Sequence, residues 1–132
     1  MQDNTRQLIS SGSPYEKPIG FSRAVRVGKH VAVAGTAPIA DDGSNAAPGD
    51  PHGQAKRCLE IIERAINQAG GQLKHVVRTR IFITDTAHWK EIARAHGEFF
   101  AELRPASTCV QVSALLDPDW FVEIEADAIV ED

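Results

Sequence analysis

The sequence predicts an α+β fold in which a mixed sheet is covered on one face by two amphipathic helices. Three observations lead there. Two segments repeat apolar residues at helical spacing, two others alternate with the period of a strand, and near the start two β-rich runs flank a short glycine-containing turn. In chain order the elements read β-β-β-α-β-α-β-β, with no internal repeat.

Leu8-Ile9 opens a short edge strand, and Ser10–Tyr15 and Lys17–Gly20 place Gly and Pro where loops want them. Ala24–Val27 and Val31–Ala34 flank Gly28-Lys29-His30, which reads as a hairpin. Pro38–Pro51 has almost no bulky apolar residue and reads as a surface loop that ends by capping a helix. That helix spans 51–69. Ala55, Leu59, Ile62, Ile66 and Ala69 form its apolar face, Lys56, Arg57, Glu60, Glu63 and Arg64 its polar face, and Gly70-Gly71 its stop. Val76–Ile83 is a strand with Val77, Thr79, Ile81 and Ile83 on one face and Arg78, Arg80 and Phe82 on the other. After Asp85, a second amphipathic helix carries Trp89, Ile92, Ala93, His96, Phe99 and Phe100 and ends before Pro105. Thr108–Val112 and Phe121–Val130 are the last strands. In the final one Val122, Ile124, Ala126, Ala128 and Val130 face the helices, while Phe121, Glu123, Glu125, Asp127 and Ile129 face away. The second sheet face therefore bears carboxylates and guanidiniums. It is either wet or meets another subunit through paired charges.

The chain has 132 residues, 24% of them charged, which fits one domain over 1–132 with enough length for its own core. With 14 Lys+Arg against 18 Asp+Glu the net charge is −4, so nothing attracts the chain generally to nucleic acid or to an anionic membrane. No run of about 18 apolar residues is present, and Met1–Arg6 carries no leader-like apolar stretch. Cys58 and Cys109 lie far apart without CxxC spacing, which argues for a reducing, cytoplasmic setting. The five histidines form no HxH or HExxH pattern, so no metal site is expected.

Several residues carry candidate chemistry, each with a plainer alternative. Glu123 and Glu125 project from one strand face about 7 Å apart. One of them is placed for acid–base work or for accepting a hydrogen bond from a ligand amine or water. The alternative is cross-strand pairing with Arg78 or Arg80, each pair contributing about 0.2–1 kcal/mol. Cys109 shares a face with Ser107 and Gln111 and has no histidine close in sequence, so a buried, inert thiol is its plainer reading. His96 lies in the apolar stripe of the second helix, as a satisfied core or interface histidine does. Gly35, in Val33-Ala-Gly-Thr-Ala-Pro38, lacks the helix of a dinucleotide or phosphate loop and marks a bulge or a close backbone approach.

Taken together, Gly20-Phe-Ser-Arg-Ala-Val-Arg-Val-Gly28, Val33-Ala-Gly-Thr-Ala-Pro38, Val77-Arg-Thr-Arg-Ile-Phe-Ile-Thr-Asp85, Arg104-Pro-Ala-Ser-Thr-Cys-Val-Gln-Val112 and Val122-Glu-Ile-Glu-Ala-Asp-Ala128 resemble the reactive intermediate deaminase family, also called Rid or YjgF-like. The resemblance covers about Ile9 to Val130. It implies a chorismate-mutase-like fold, a homotrimer whose sheets form a central barrel, and ligand clefts between subunits. It also implies hydrolysis of reactive enamines or imines to a keto acid and ammonia without metal or organic cofactor. The small-molecule ligand would be held in the cleft, a carboxylate among the candidates.

Carried over residue by residue, Glu123 matches the glutamate that positions water, Gly35 the ligand-facing glycine and Cys109 a cleft cysteine. Phe21 stands where deaminating members often have tyrosine. Ser107 stands where they have the arginine that binds the substrate carboxylate. A serine hydroxyl cannot replace two parallel charge-assisted hydrogen bonds, and losing them costs about 2–4 kcal/mol of binding. Arg104 is the nearby candidate for supplying that charge, and Trp120 joins Phe21 as candidate aromatic lining. Three functions compete: a small-molecule hydrolase, a trimeric ligand-binding protein without turnover, and the endoribonuclease label often attached to the family. The acidic charge and the lack of a basic, aromatic strip place the last behind the others.

Overall fold

The computed structural model describes residues 6–131; residues 1–5, which include most of the stretch read above for a leader, and residue 132 lie outside them. Six strands form one sheet in the order β1-β2-β3-β6-β4-β5. They are β1 (Gln7–Ile9), β2 (Ala24–Val27), β3 (His30–Thr36), β4 (Val76–Ile83), β5 (Ala106–Gln111) and β6 (Val122–Ile129). All neighbours are antiparallel except β4 and β5. A parallel pair needs a long crossover, which the second long helix supplies.

Besides a single turn, α1 (Glu16–Ile19), two helices cover one sheet face: α2 (Pro51–Gln68) and α3 (Trp89–Phe100). The start of α2 is set by Pro51 in its first turn and by Asp50, whose carboxylate accepts from the Gly53 N–H at 3.0 Å. Its end is set by Gly70, which takes the left-handed φ of +89° that a side chain resists. Leu59, Ile62 and Ile66 of α2 and Ile92 of α3 pack on Val31, Val33, Ile81, Ile83, Val122 and Ile124 of the sheet, all buried. A mixed α+β fold with its core between sheet and helices follows from the apolar periodicities, as expected.

Four local expectations are corrected. Glu16–Ile19 is a helical turn rather than loop, closed by the Gly20 N–H on the Glu16 carbonyl at 2.8 Å. In the hairpin Val27 pairs with His30, so the turn is two residues long and His30 already belongs to β3. In β4 the register shifts between Val76 and Arg78, a bulge that buries Val76 and leaves Val77 43% exposed, the reverse of simple alternation. In α3 the helix angle places Ala95 in the core and Trp89 at the surface.

The open face carries the charges anticipated for it. Arg80 donates to Glu125 at 3.3 Å and to Asp127 at 3.1 Å, and His30 lies 3.7 Å from Asp127. Leu8, Val27, Val110 and Ile129, all substantially exposed, flank this ladder by strand parity. Among the described residues no helix is long and apolar enough to cross a membrane.

Candidate functional site

The site begins with an irregularity in β3. Val33 pairs with Ala126, but the next pairing is Thr36 with Ile124, so Ala34 and Gly35 together oppose one residue of β6. The Thr36 hydroxyl donates to the Ala34 carbonyl at 2.8 Å and fixes this bulge. Two side chains converge on the displaced Gly35. Arg23 Nη2 donates to its carbonyl at 2.8 Å, and the Glu123 carboxylate lies over its Cα so closely that a Cβ there would collide with Oε2. Glycine is required at this position by close approach, not by its backbone angles.

Strand parity brings the partners in. Phe21, Arg23, Val25 and Val27 alternate onto the open face, which Glu123 also occupies opposite Phe82 of β4. The Arg23 guanidinium stands 6.0 Å from the Phe21 ring centroid, the distance of a cation–π contact. Its Nε is buried without a hydrogen-bond partner among the described residues.

Burial dominates the electrostatics here. Desolvation pushes the Glu123 carboxyl above its ordinary value, Arg23 draws it back down, and the Glu125 carboxylate adds a smaller upward push. Desolvation likewise lowers the Arg23 guanidinium, which Glu123 partly offsets. A desolvated carboxylate with raised basicity and a nearby guanidinium can hold a water molecule and take its proton.

Ser107 and Cys109 are not part of this cluster. The parallel register sets Ser107 beside Thr79 and Cys109 beside Ile81, both on the helix-covered side, opposite Glu123. Thr79 Oγ1 donates to Ser107 Oγ at 2.8 Å and lies 2.9 Å from His96 Nε2. Burial raises the Cys109 thiol, the opposite of what an activated thiolate needs. Arg104 closes α3 in a left-handed conformation, φ +51°, with its N–H on the Phe100 carbonyl at 2.8 Å and its side chain exposed. Trp120 is tied to the 38–50 loop, its indole N–H donating to Asn45 Oδ1 at 2.9 Å.

The residue that sequence reasoning passed over is Arg23. Its signal was present: it lies at i+2 from Phe21 and i−2 from Val25, on the face that Glu123 shares. Among the described residues no group of three or more His, Cys, Asp or Glu is placed to hold a metal ion.

Comparison with known proteins gives this geometry a family. The profile described as Endoribonuclease L-PSP matches residues 15–130. The 3-aminoacrylate deaminase RutC of Acinetobacter baylyi is 36% identical over 124 residues, 93% of this chain and 96% of that protein. An uncharacterized Streptomyces coelicolor protein is 35% identical over 128 residues, covering 97% of this chain and 95% of its own length. Among solved structures, Rv2704 of Mycobacterium tuberculosis, described as a member of the YjgF/YER057c/UK114 family, superposes with a TM-score of 0.86 at 44% identity, covering 96% of this chain and all of that one. The chain therefore belongs to the YjgF/Rid family, the family whose profile bears the Endoribonuclease L-PSP description.

Proposed function

We propose that the protein hydrolyses small reactive enamines or imines to a carbonyl compound and ammonia, with Glu123 as the group that positions and deprotonates water. The observation that carries this reading is the half-buried Glu123 carboxylate seated on Gly35 with Arg23 beside it. Burial raises its affinity for a proton, and the Arg23 guanidinium opposes that shift by favouring the carboxylate, the two influences that make a general base. The family relationship, and the deaminase named among the relatives, support the same reaction class.

In this reading the working unit is a homotrimer with clefts between neighbouring chains, in a reducing, cytoplasmic setting where both cysteines stay free. The placement of Glu123 and Ser107 on opposite sheet faces supports it, since one chain cannot present both to one ligand. Apolar side chains beside the Arg80 ladder give the open face something to bury.

The test is release of ammonia together with a 2-keto acid from enzymatically generated 2-aminoacrylate, or with the 3-oxo (aldehyde) acid from 3-aminoacrylate. Wild type should exceed the uncatalysed rate, and Glu123→Gln should lose about 10²-fold or more. Equal rates for wild type, Glu123→Gln and buffer would remove the reading. A second reading, ligand binding without turnover, is favoured by one residue: the sequence resemblance sets Ser107 where deaminating members carry their carboxylate-binding arginine. It predicts thermal stabilisation by small metabolites in the absence of any hydrolysis. Ribonuclease action fits least, because a chain of net charge −4 offers a polyanion no general attraction.

A further inference from the structure

We propose that Ser107, Thr79 and His96 form a proton relay that takes a proton from a ligand hydroxyl held at the β5 edge, with Ser107 touching the ligand and Thr79 and His96 as positioning residues. The proposal rests on the reading above that this edge lines the ligand cleft.

The three groups are brought together from three elements. Thr79 is fully buried on the inward row of β4, between Val76 and Ile81. A buried hydroxyl there is tolerated only when hydrogen-bonded, and it contacts His96 Nε2 at 2.9 Å and Ser107 Oγ at 2.8 Å. Ser107 is exposed on β5, the outermost strand of the sheet, so its hydroxyl is where the chain of hydrogen bonds reaches the surface. His96 lies against the Phe100 ring, 4.8 Å between centroids. Burial pushes its pKa down, and no charged side chain contributes to that shift. Around it, Cys109 is a thiol itself raised by burial, Glu98 of α3 is engaged by His52 of α2 at 2.8 Å and by Arg94, and Arg78 and Arg80 of β4 point to the opposite face. His96 is thus a neutral imidazole, one ring nitrogen a donor and the other an acceptor.

The chain of bonds has two senses. With the proton on Nε2, His96 donates to Thr79, Thr79 to Ser107, and the Ser107 proton points outward. With the proton on Nδ1 both bonds reverse and Ser107 offers lone pairs outward. In the second sense a ligand hydroxyl can pass its proton to Ser107 Oγ while that of Ser107 moves to Thr79 Oγ1 and that of Thr79 to His96 Nε2. Each hydroxyl gains one proton and loses one, and His96 becomes imidazolium.

In carbinolamine breakdown the step balances as follows. The hydroxyl proton enters the relay, the oxygen forms the carbonyl, and the C–N electron pair leaves with nitrogen. Nitrogen takes the proton that a neighbouring chain's Glu123 gained from water, so ammonia departs and Glu123 returns to carboxylate. His96 then releases its proton to solvent.

Two measurements decide it. The first needs no turnover: ring ¹⁵N NMR of His96 across pH 5 to 8 in wild type, Ser107→Ala, Thr79→Val and Thr79→Ser. Ser107→Ala should change the His96 tautomer balance or titration midpoint, and the same substitution should have no effect in a Thr79→Val background. A His96 resonance indifferent to Ser107→Ala overturns the relay. The second is kcat/KM against pH with the enamines above. Thr79→Val should lose about 10²-fold and its His96 limb on the acid side, and Thr79→Ser should recover both. A folded Thr79→Val protein with the wild-type rate and profile also overturns it. If wild type hydrolyses neither enamine, the proposed function falls, while the NMR result still decides the relay.

Discussion

Gly35→Ala tests the reasoning about Glu123 without touching the carboxylate itself. A Cβ at Gly35 would stand 3.3 Å from Glu123 Cδ and 3.8 Å from Cγ, with Oε2 nearer than any ordinary contact. The carboxylate is the free end of a flexible side chain, so it yields before the strand does. Restoring normal contact distances needs a swing of about 1 Å at the oxygen. Displacements of that size cost about 10²-fold in rate when they misplace a reacting group. Stability moves the other way. Gly35 is not in the left-handed region, so alanine strains nothing and restricts the unfolded chain, a gain of about 0.4–1 kcal/mol that the displaced Glu123 offsets. The expected outcome is therefore an enzyme that melts close to wild type and turns over enamine about 100-fold more slowly. Hydrolysis is followed by ammonia release and folding by a thermal melt, with Glu123→Gln as background. In that background Gly35→Ala should add nothing, since the group it displaces is already disabled. Wild-type turnover in a folded Gly35→Ala protein, or a full additive loss in the double variant, would refute the claim that Gly35 acts by seating Glu123.

Removing the guanidinium in Arg23→Gln should raise the Glu123 pKa further and move the acid limb of the rate profile to higher pH; an unmoved limb would dismiss Arg23 as its electrostatic partner. The raised Glu123 pKa also has a stability consequence. Folded protein binds more protons than unfolded between the unfolded and folded values, so stability declines as pH rises through that window. Glu123→Gln should accordingly be more stable than wild type at pH 7 in urea unfolding, with the difference fading toward the ordinary glutamate pKa and below. Gln54 is buried and donates to Asp119 O at 3.0 Å while accepting from Phe121 N at 2.8 Å, so Gln54→Leu should cost about 2–4 kcal/mol through the groups left unpaired, measured by the same unfolding. Thiol labelling should modify Cys109 slowly and Cys58 only on unfolding, because burial raises both thiols and Cys58 is wholly inaccessible.

What could be read in advance follows from which interactions are periodic. The 51–69 helix was legible because Leu59, Ile62 and Ile66 repeat at 3.6 residues and Asp50 and Gly70 mark its ends. β6 was legible because Val122, Ile124, Ala126 and Ala128 alternate without interruption. Interruptions were not legible. The Val76–Arg78 bulge reverses parity by one residue, which no local composition announces. Gln54 lies outside the apolar row that marks the helix, yet it is buried because the incoming 119–121 segment presents one carbonyl and one N–H that need a partner. The bond from the Trp120 indole N–H to Asn45 Oδ1 joins residues 75 positions apart, and no local pattern announces it.

The same distinction explains why the site divides in two. Adjacent strands of a sheet share side-chain direction at paired positions, so pairing alone decides which groups meet. Glu123 pairs with Phe82 and Ser107 with Thr79, and odd spacing between Thr79 and Phe82 sends the two to opposite faces. No rotamer change brings Ser107 to Glu123 through an intact sheet. Any reaction using both must therefore join the β5 edge of one chain to the open face of another, so activity should depend on assembly. Arg23 differs in kind, bonding the Gly35 carbonyl within one chain and acting on the Glu123 charge from there. Dissociating the proposed trimer should consequently abolish turnover while leaving the Arg23 effect on the Glu123 pKa in place. Retention of full turnover in a dissociated, folded chain would show that Glu123 works without Ser107.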